Sequence, residues 1–508
     1  MNNFYSTWAR RSGILMHVSS LPGPYGIGDL GQDAYRFVDW LAEAKQTIWN
    51  ILPLSPTGYG DSPYQGFSVF AGNPLFISLD KLREQDWLRK EDIKDHPLFS
   101  DTNVVYGEVI NFHNAMLKKA FTGFARFASR SVKDAFQDWC EEKRFWLNDY
   151  ALFRALKEVN QGYSFHMWIK KERQHDVSTL NRFQKKHQEL VDFHKFQQWL
   201  FFHQWKNLKS YANSKGVKIL GDIPIYAGYD CSDVWANQHL FYLDEESHPT
   251  VVAGVPPDIF SSTGQLWGHP IYNWEAHRES GYSWWIERLK TAFEFFDISR
   301  IDHFRGFAGY WEIPAGEPTA QNGRWVRGPG QEFFNAIFEA LPGIRLVAED
   351  LGIITPDVIE LRENNDLPGL SILQFAWDED ENPFLPHNDI WNRVVYVGTH
   401  DNDTINGWWK SALEIEKDYF IKYTSLVKET TSINWAFIRL AMMSVSHTCI
   451  IPMQDVFGFD GEARMNFPSR LGGNWEWRLP RAFLDNPIRE QLKQYTLMFN
   501  RYPNVDKK

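Results

Sequence analysis

Two arginines, an aspartate and a histidine stand within six residues in RIDHFRG, Arg300 to Gly306, directly after the apolar and aromatic run AFEFFDIS. In an extended strand, residues two apart share a face. Arg300 and Asp302 therefore point one way and Ile301 the other. If Ile301 faces a helix layer, the charged pair faces the interior of a sheet. A guanidinium beside a carboxylate favours its ionised form, which a nucleophile needs. The same two residues could also be a structural ion pair.

Further acids end other apolar runs. In LVAEDLG, Glu349 and Asp350 are adjacent and so face opposite sides; the pattern does not say which one points inward. An acid after mostly apolar residues is partly desolvated, which raises its pKa and suits a general acid; the alternative is a helix cap. YVGTHDNDT contributes His400, Asp401 and Asp403, while GDIPIY and PMQD contribute Asp222 and Asp455. Singly, any of these could be a turn residue. Together they could bind a cation, but there is no tight Asp/Asn loop and no HExxH, so no metal and no cofactor is predicted. Acids at the ends of several strands match retaining glycoside chemistry better. That reaction uses an ionised carboxylate and a protonated one about 5–5.5 Å apart. A third can hold sugar hydroxyls and stabilise positive charge.

Eight short apolar runs could carry these groups as buried strands. They start at Gly13, Ile48, Val217, Phe296, Ile344, Leu370, Arg393 and Thr448. Amphipathic stretches lie between them, such as Phe334, Ile337, Phe338 and Leu341, and Thr355-Pro356-Asp357 reads as a helix start. Alternating strands and helices predict a parallel sheet, and eight strands predict a (β/α)8 TIM barrel, an α/β fold. An open doubly wound sheet is the alternative, weakened by the lack of a glycine-rich phosphate fingerprint. Residues 1–508 read as one catalytic barrel. Its large insertions leave the C-terminal ends of strands: a mainly helical one at 56–214, a second at 228–279 and a loop at 306–330. The tail NVDKK is expected to be disordered.

The composition narrows the chemistry. A net charge of −11 without a basic stripe argues against nucleic acid as partner. Aromatic residues at 16 %, with 23 Trp, exceed ordinary core needs and suit stacking against sugar C–H faces. No run reaches the roughly 18 apolar residues of a membrane span. The N-terminus has no signal core, and Cys140, Cys231 and Cys449 suggest no disulfide framework. A cytoplasmic protein is expected. Nothing here gives the oligomeric state.

The sequence resembles the amylomaltases, or 4-α-glucanotransferases (disproportionating enzymes), of glycoside hydrolase family 77. The resemblance covers nearly the whole chain. It runs through SGILMHVSSLPGPYGIGDLG, SPYQGFSVFAGNP, GDIPIY, PPDIFSSTGQLWGHPIYNW, RIDHFRGFAGYWEIPAG, AEDLGIITPDV, GTHDNDTINGWW, IPMQDVFGFDGEARMNFP and NWEWRL. It implies Asp302 as nucleophile, Glu349 as acid/base and Asp401 as transition-state stabiliser. It further implies Arg300 and His400 around the reacting sugar, Tyr64 and Asp222 as substrate contacts, Trp267 in a loop over the acceptor side, and Tyr59 at a second glucan groove. The implied partners are α-1,4-glucans (maltooligosaccharides, amylose, glycogen or starch) and glucose. Three departures stand out: GHP at Gly268–Pro270, which puts His269 where Asn is usual; PGL at Pro368–Leu370; and SRLGGNW. An α-amylase-type retaining hydrolase and a non-catalytic glucan-binding protein are the rival readings.

Overall fold

All eight apolar runs become parallel strands of one sheet in a computed structural model of the chain, which describes residues 8–257, 261–425, 432–468, 470 and 472–503. The tail Asn504–Lys508 lies outside the described residues, as do 258–260 in the second insertion and Ser469 and Leu471 in SRLGGNW. In chain order the strands are β1 (Arg11–Leu15), β2 (Ile48–Asn50), β3 (Lys218–Ile223), β4 (Val251–Val255), β5 (Gln265–Pro270), β6 (Ile298–Ile301), β7 (Gly309–Pro314), β8 (Arg324–Arg327), β9 (Leu346–Ala348), β10 (Gly369–Ile372), β11 (Arg393–Tyr396) and β12 (Thr448–Pro452). The large sheet runs β10-β11-β12-β1-β2-β3-β6-β9. The Ala348 N–H then donates to the Pro368 carbonyl at 2.8 Å, joining β9 back to the start of β10. A sheet whose ends meet is a barrel, so the open doubly wound alternative falls.

The strands are apolar on both faces because helices cover the outside and side chains fill the inside. Ile14, Ile219, Val395 and Ile450 are all 0 % exposed. Between β2 and β3 the chain builds the helices Tyr106–Phe127, Arg130–Glu142, Arg144–Val159 and Gln188–Ser214. The last has 27 residues and does more than fill space. Its Gln198 amide exchanges two hydrogen bonds with the Gly72 backbone, at 2.8 and 2.9 Å. Its Gln204 accepts from the Ser78 N–H at 2.8 Å. These amides supply partners that a loop backbone lacks, and so fix the segment that follows Tyr64. The remaining strands form a small antiparallel sheet, β5-β4-β7-β8, at the C-terminal side of β3 and β6.

The ring closes beside the Glu349–Asp350 pair. Asp350 points away from the barrel interior, and its carboxylate accepts from the Leu370 N–H at 2.7 Å and from Arg362 Nη1 at 3.1 Å. It thus pins β9 to β10 from outside. Gly369 leaves it room, since a Cβ there would lie 2.4 Å from both Arg362 and Asp350. Both charged side chains are under one-tenth exposed. Replacing Asp350 by Ala leaves the buried Arg362 guanidinium with only the exposed Glu363 at 3.2 Å and the Leu370 N–H without its partner, at a cost of about 3 kcal/mol. Thermal melts of D350A are expected to show a clearly lowered midpoint; an unchanged midpoint would remove Asp350 from barrel closure.

Candidate active site

Strand register creates the first contact. Asp222 on β3 lies directly beside Arg300 on β6. The guanidinium reaches Asp222 Oδ2 at 2.5 Å and Asp302 Oδ1 at 2.8 Å, so one cation bridges two carboxylates. The inner pair is buried, with side chains 9 % and 3 % exposed, whereas that of Asp302 is 30 % exposed and opens to the cleft. Burial opposes the charge on Arg300, but Asp222 and Asp302 outweigh it and hold its pKa well above the usual value.

A second chain of contacts leads to Asp401. The Tyr64 hydroxyl donates to Asp222 Oδ2 at 2.8 Å and lies 3.3 Å from His400 Nδ1. The Tyr64 ring stacks on His400 at 5.0 Å, and Trp475 packs against both. His400 Nε2 is 3.3 Å from Asp401 Oδ2. Burial alone would lower the His400 pKa, yet Asp401 raises it. A doubly protonated ring fits both contacts, donating Nδ1–H to the Tyr64 oxygen and Nε2–H to Asp401. Desolvation of Asp401 is in turn outweighed by His400 and by Asn466, which hold it well below the usual carboxylate range. Asn466 donates to its Oδ1 at 2.7 Å, and Arg464 to its backbone carbonyl at 2.5 Å.

Glu349 has the opposite environment. Its carboxyl accepts from the backbone N–H groups of His303 at 2.7 Å and Leu351 at 2.9 Å. Burial is the largest influence on it; Arg300 opposes that influence and Asp302 adds to it, and the pKa is pushed up to about 7. The adjacent residue Asp350 is the staple described above, so Glu349 alone of the pair faces the site.

His303 and Arg305 would lie opposite Asp302 if β6 ran on through them, but the strand ends at Ile301. His303 turns left-handed, with φ 52°, and alternation stops there. The turn aims the His303 N–H at Glu349 and sets its ring edge-on to Trp267 at 4.8 Å. Arg305 leaves the site. Its guanidinium lies 3.9 Å from the Trp325 ring centre and donates to the Ile353 carbonyl.

Trp267 and His269 both come from β5. Burial lowers the pKa of His269 to about 4, and its Nδ1 has no hydrogen-bond partner. Tyr59 stands apart: it is 95 % exposed in the turn Tyr59–Asp61. Asp403 and Asp455 bind the backbone N–H groups of Thr404 at 2.8 Å and Ile405 at 2.7 Å, the anchoring use of a loop acid. Among the described residues no group of three His, Cys, Asp or Glu could hold a metal ion. Sequence reasoning passed over Arg464, Asn466 and Trp475, which lie over sixty residues beyond Asp401. Their local text gives no sign of that contact.

A cation, a carboxyl with a raised pKa and carboxylates thus converge on one cleft at the C-terminal ends of β3, β6, β9 and β11. Comparison with known proteins agrees with the chemistry this suggests. The profile of the 4-alpha-glucanotransferase family matches residues 16–484. A 4-alpha-glucanotransferase of Thermus thermophilus is 48 % identical over 477 residues, 92 % of this chain and 95 % of that one. One from Streptococcus pneumoniae is 46 % identical over 496 residues, 97 % of each. The solved amylomaltase of Streptococcus agalactiae in complex with acarbose superposes with a TM-score of 0.94 at 38 % identity, covering 97 % of this chain and 99 % of that one.

The raised Glu349 pKa has a consequence for stability that is independent of activity. The folded protein keeps a proton that the unfolded chain releases near 4.5, so this contribution is complete below 4.5 and is lost as pH rises toward about 7. Glu349→Gln removes the titration. The stability of E349Q relative to the parent should therefore climb between these pH values and level off above them in denaturant titrations; a flat difference would contradict the shift.

Proposed function

The chain belongs to the 4-alpha-glucanotransferase family and acts as a 4-α-glucanotransferase, and we propose that it moves α-1,4-glucan segments by a retaining double displacement on Asp302 and Glu349. The observation that carries this reading is a buried carboxyl with a raised pKa beside a cation-bridged carboxylate: Glu349 is raised to about 7, and Arg300 bonds Asp302 at 2.8 Å. Glu349 gives its proton to the glycosidic oxygen as Asp302 attacks C1, and the leaving segment departs as an alcohol. Glu349, now a carboxylate, takes the proton of an incoming 4-hydroxyl, whose oxygen displaces Asp302 with overall retention. Asp401, held ionised by His400 and Asn466, stabilises the positive charge that develops at the sugar ring.

The remaining assignments follow from position. Tyr64, Asp222, Arg300 and His400 form the floor against which the reacting sugar sits. Trp267 lies on the small sheet, against His303, where it favours a sugar acceptor over water. Tyr59 belongs to a separate glucan contact outside this cleft. Cys140, Cys231 and Cys449 are free and buried, which supports a reducing compartment such as the cytoplasm.

With maltotriose alone, the products should be glucose and longer maltooligosaccharides at a constant number of reducing ends. A steady rise in reducing ends would mean a hydrolase. Asp302→Asn should abolish transfer while glucan binding survives; retained transfer would refute the nucleophile.

Transfer should also follow the protonation of Glu349. Since the first step needs its proton, kcat/KM should fall above about pH 7, about tenfold per pH unit. A kcat/KM that stays level well above this pH would assign the acid elsewhere.

A further inference from the structure

On the outside of the barrel a cleft of about 670 Å³ is lined by the long helix Gln188–Ser214, the end of Arg130–Glu142 and the turn after Ser283–Phe295. That volume falls within the usual range of about 300–1,000 Å³ for ligand sites. Asp297 in its wall immediately precedes β6, whose other end leads to Asp302. The cleft therefore runs along the outer helix layer, from the N-terminal end of β6 up the long helix, and contains none of the catalytic acids.

We propose that this cleft binds a second stretch of α-glucan, away from the reacting bond. The long helix presents Trp199, His203, Lys206, Ser210 and Asn213 at alternating steps of four and three, a single face. That stripe is roughly 21 Å long, an extended track rather than a point site. It has aromatic surface for sugar C–H faces. Trp139 is half-buried against Phe202 at 5.3 Å and Phe293 is half-buried, while the buried Trp199 backs the exposed His203 ring at 6.0 Å.

The charges select against an ionic ligand. Lys143, Lys206 and Lys209 are balanced in the lining by Glu142, Glu294 and Asp297. Lys143 is engaged by Glu294 at 2.6 Å and Glu142 at 2.9 Å. Lys209 donates to the carbonyls of Phe293, Glu294 and Phe296 at 2.9, 3.2 and 2.8 Å. What remains for a ligand is the exposed Lys206, Ser210 and His203, a set of hydroxyl-binding groups beside aromatic rings. An uncharged polyhydroxyl chain meets all of this. The choice of α-glucan rests on the transferase activity, whose polymeric substrate is such a chain. Holding one part of a long glucan raises the local concentration of the rest, an advantage that short oligosaccharides cannot use.

The test measures maltoheptaose binding by calorimetry to the Asp302→Asn protein, in which the sugar is not consumed. Adding Trp139→Ala and Lys206→Glu should remove one equivalent of bound sugar. Lys206→Glu alone, at an exposed position that the fold does not need, should weaken the same equivalent. In the otherwise unchanged enzyme, the pair should raise KM for long amylose about tenfold and leave kcat/KM for maltotriose within about twofold. Unchanged stoichiometry together with an unchanged amylose KM would overturn the second site. Absence of maltotriose disproportionation by the parent enzyme would instead strike the transferase reading, so the two failures are distinguishable.

Discussion

Arg300 is the interaction on which the site depends. A buried guanidinium needs partners for its charge and its N–H groups, and here anions supply them from two strands, Asp222 on β3 and Asp302 at the end of β6. Barrel register brings the first alongside, and strand alternation brings the second. The cation thereby locks the position of Asp302 using the sheet's own geometry. It also opposes the upward pressure that burial places on Glu349, so the acid is raised to neutrality and no further. One side chain sets the conditions for both steps of the reaction.

The rest of the site is built outward from that centre. Asp222 passes the constraint to Tyr64, Tyr64 to His400, and His400 to Asp401. The links join three separate parts of the chain, and Tyr64 lies on a segment with no strand of its own. The helical insertion solves that problem by lending Gln198 and Gln204 as backbone partners. Insertions that look like decoration on a barrel are therefore part of what holds its substrate floor in place.

All eight barrel strands could be read from the sequence, because strands buried on both faces leave continuous apolar runs. That Arg300 and Asp302 share a face was legible from alternation, while their inward direction was conditional on Ile301 facing the helices. The choice between Glu349 and Asp350 was not, since it depends on which neighbour finds Arg362 and the Leu370 N–H across the seam. The fate of His303 and Arg305 was not legible for a related reason: a single left-handed residue ends the alternation, and nothing in RIDHFRG marks it. Asn466 and Arg464 were invisible as partners of Asp401 because the contact joins loops more than sixty residues apart.

The seam between β9 and β10 gives the barrel an uneven mechanical character. Elsewhere, strands are laced by ladders, but here Ala348–Pro368 and the Asp350 anchor carry the join. Thermal breathing will concentrate where the lacing is thinnest, and Glu349 is the residue next to it. Water entering there would relieve the desolvation that keeps its proton on. The carboxyl would then lose its proton at neutral pH in a molecule that is still folded. Heat tolerance of catalysis in this enzyme is thus governed by the tightness of one joint rather than by the stability of the barrel as a whole.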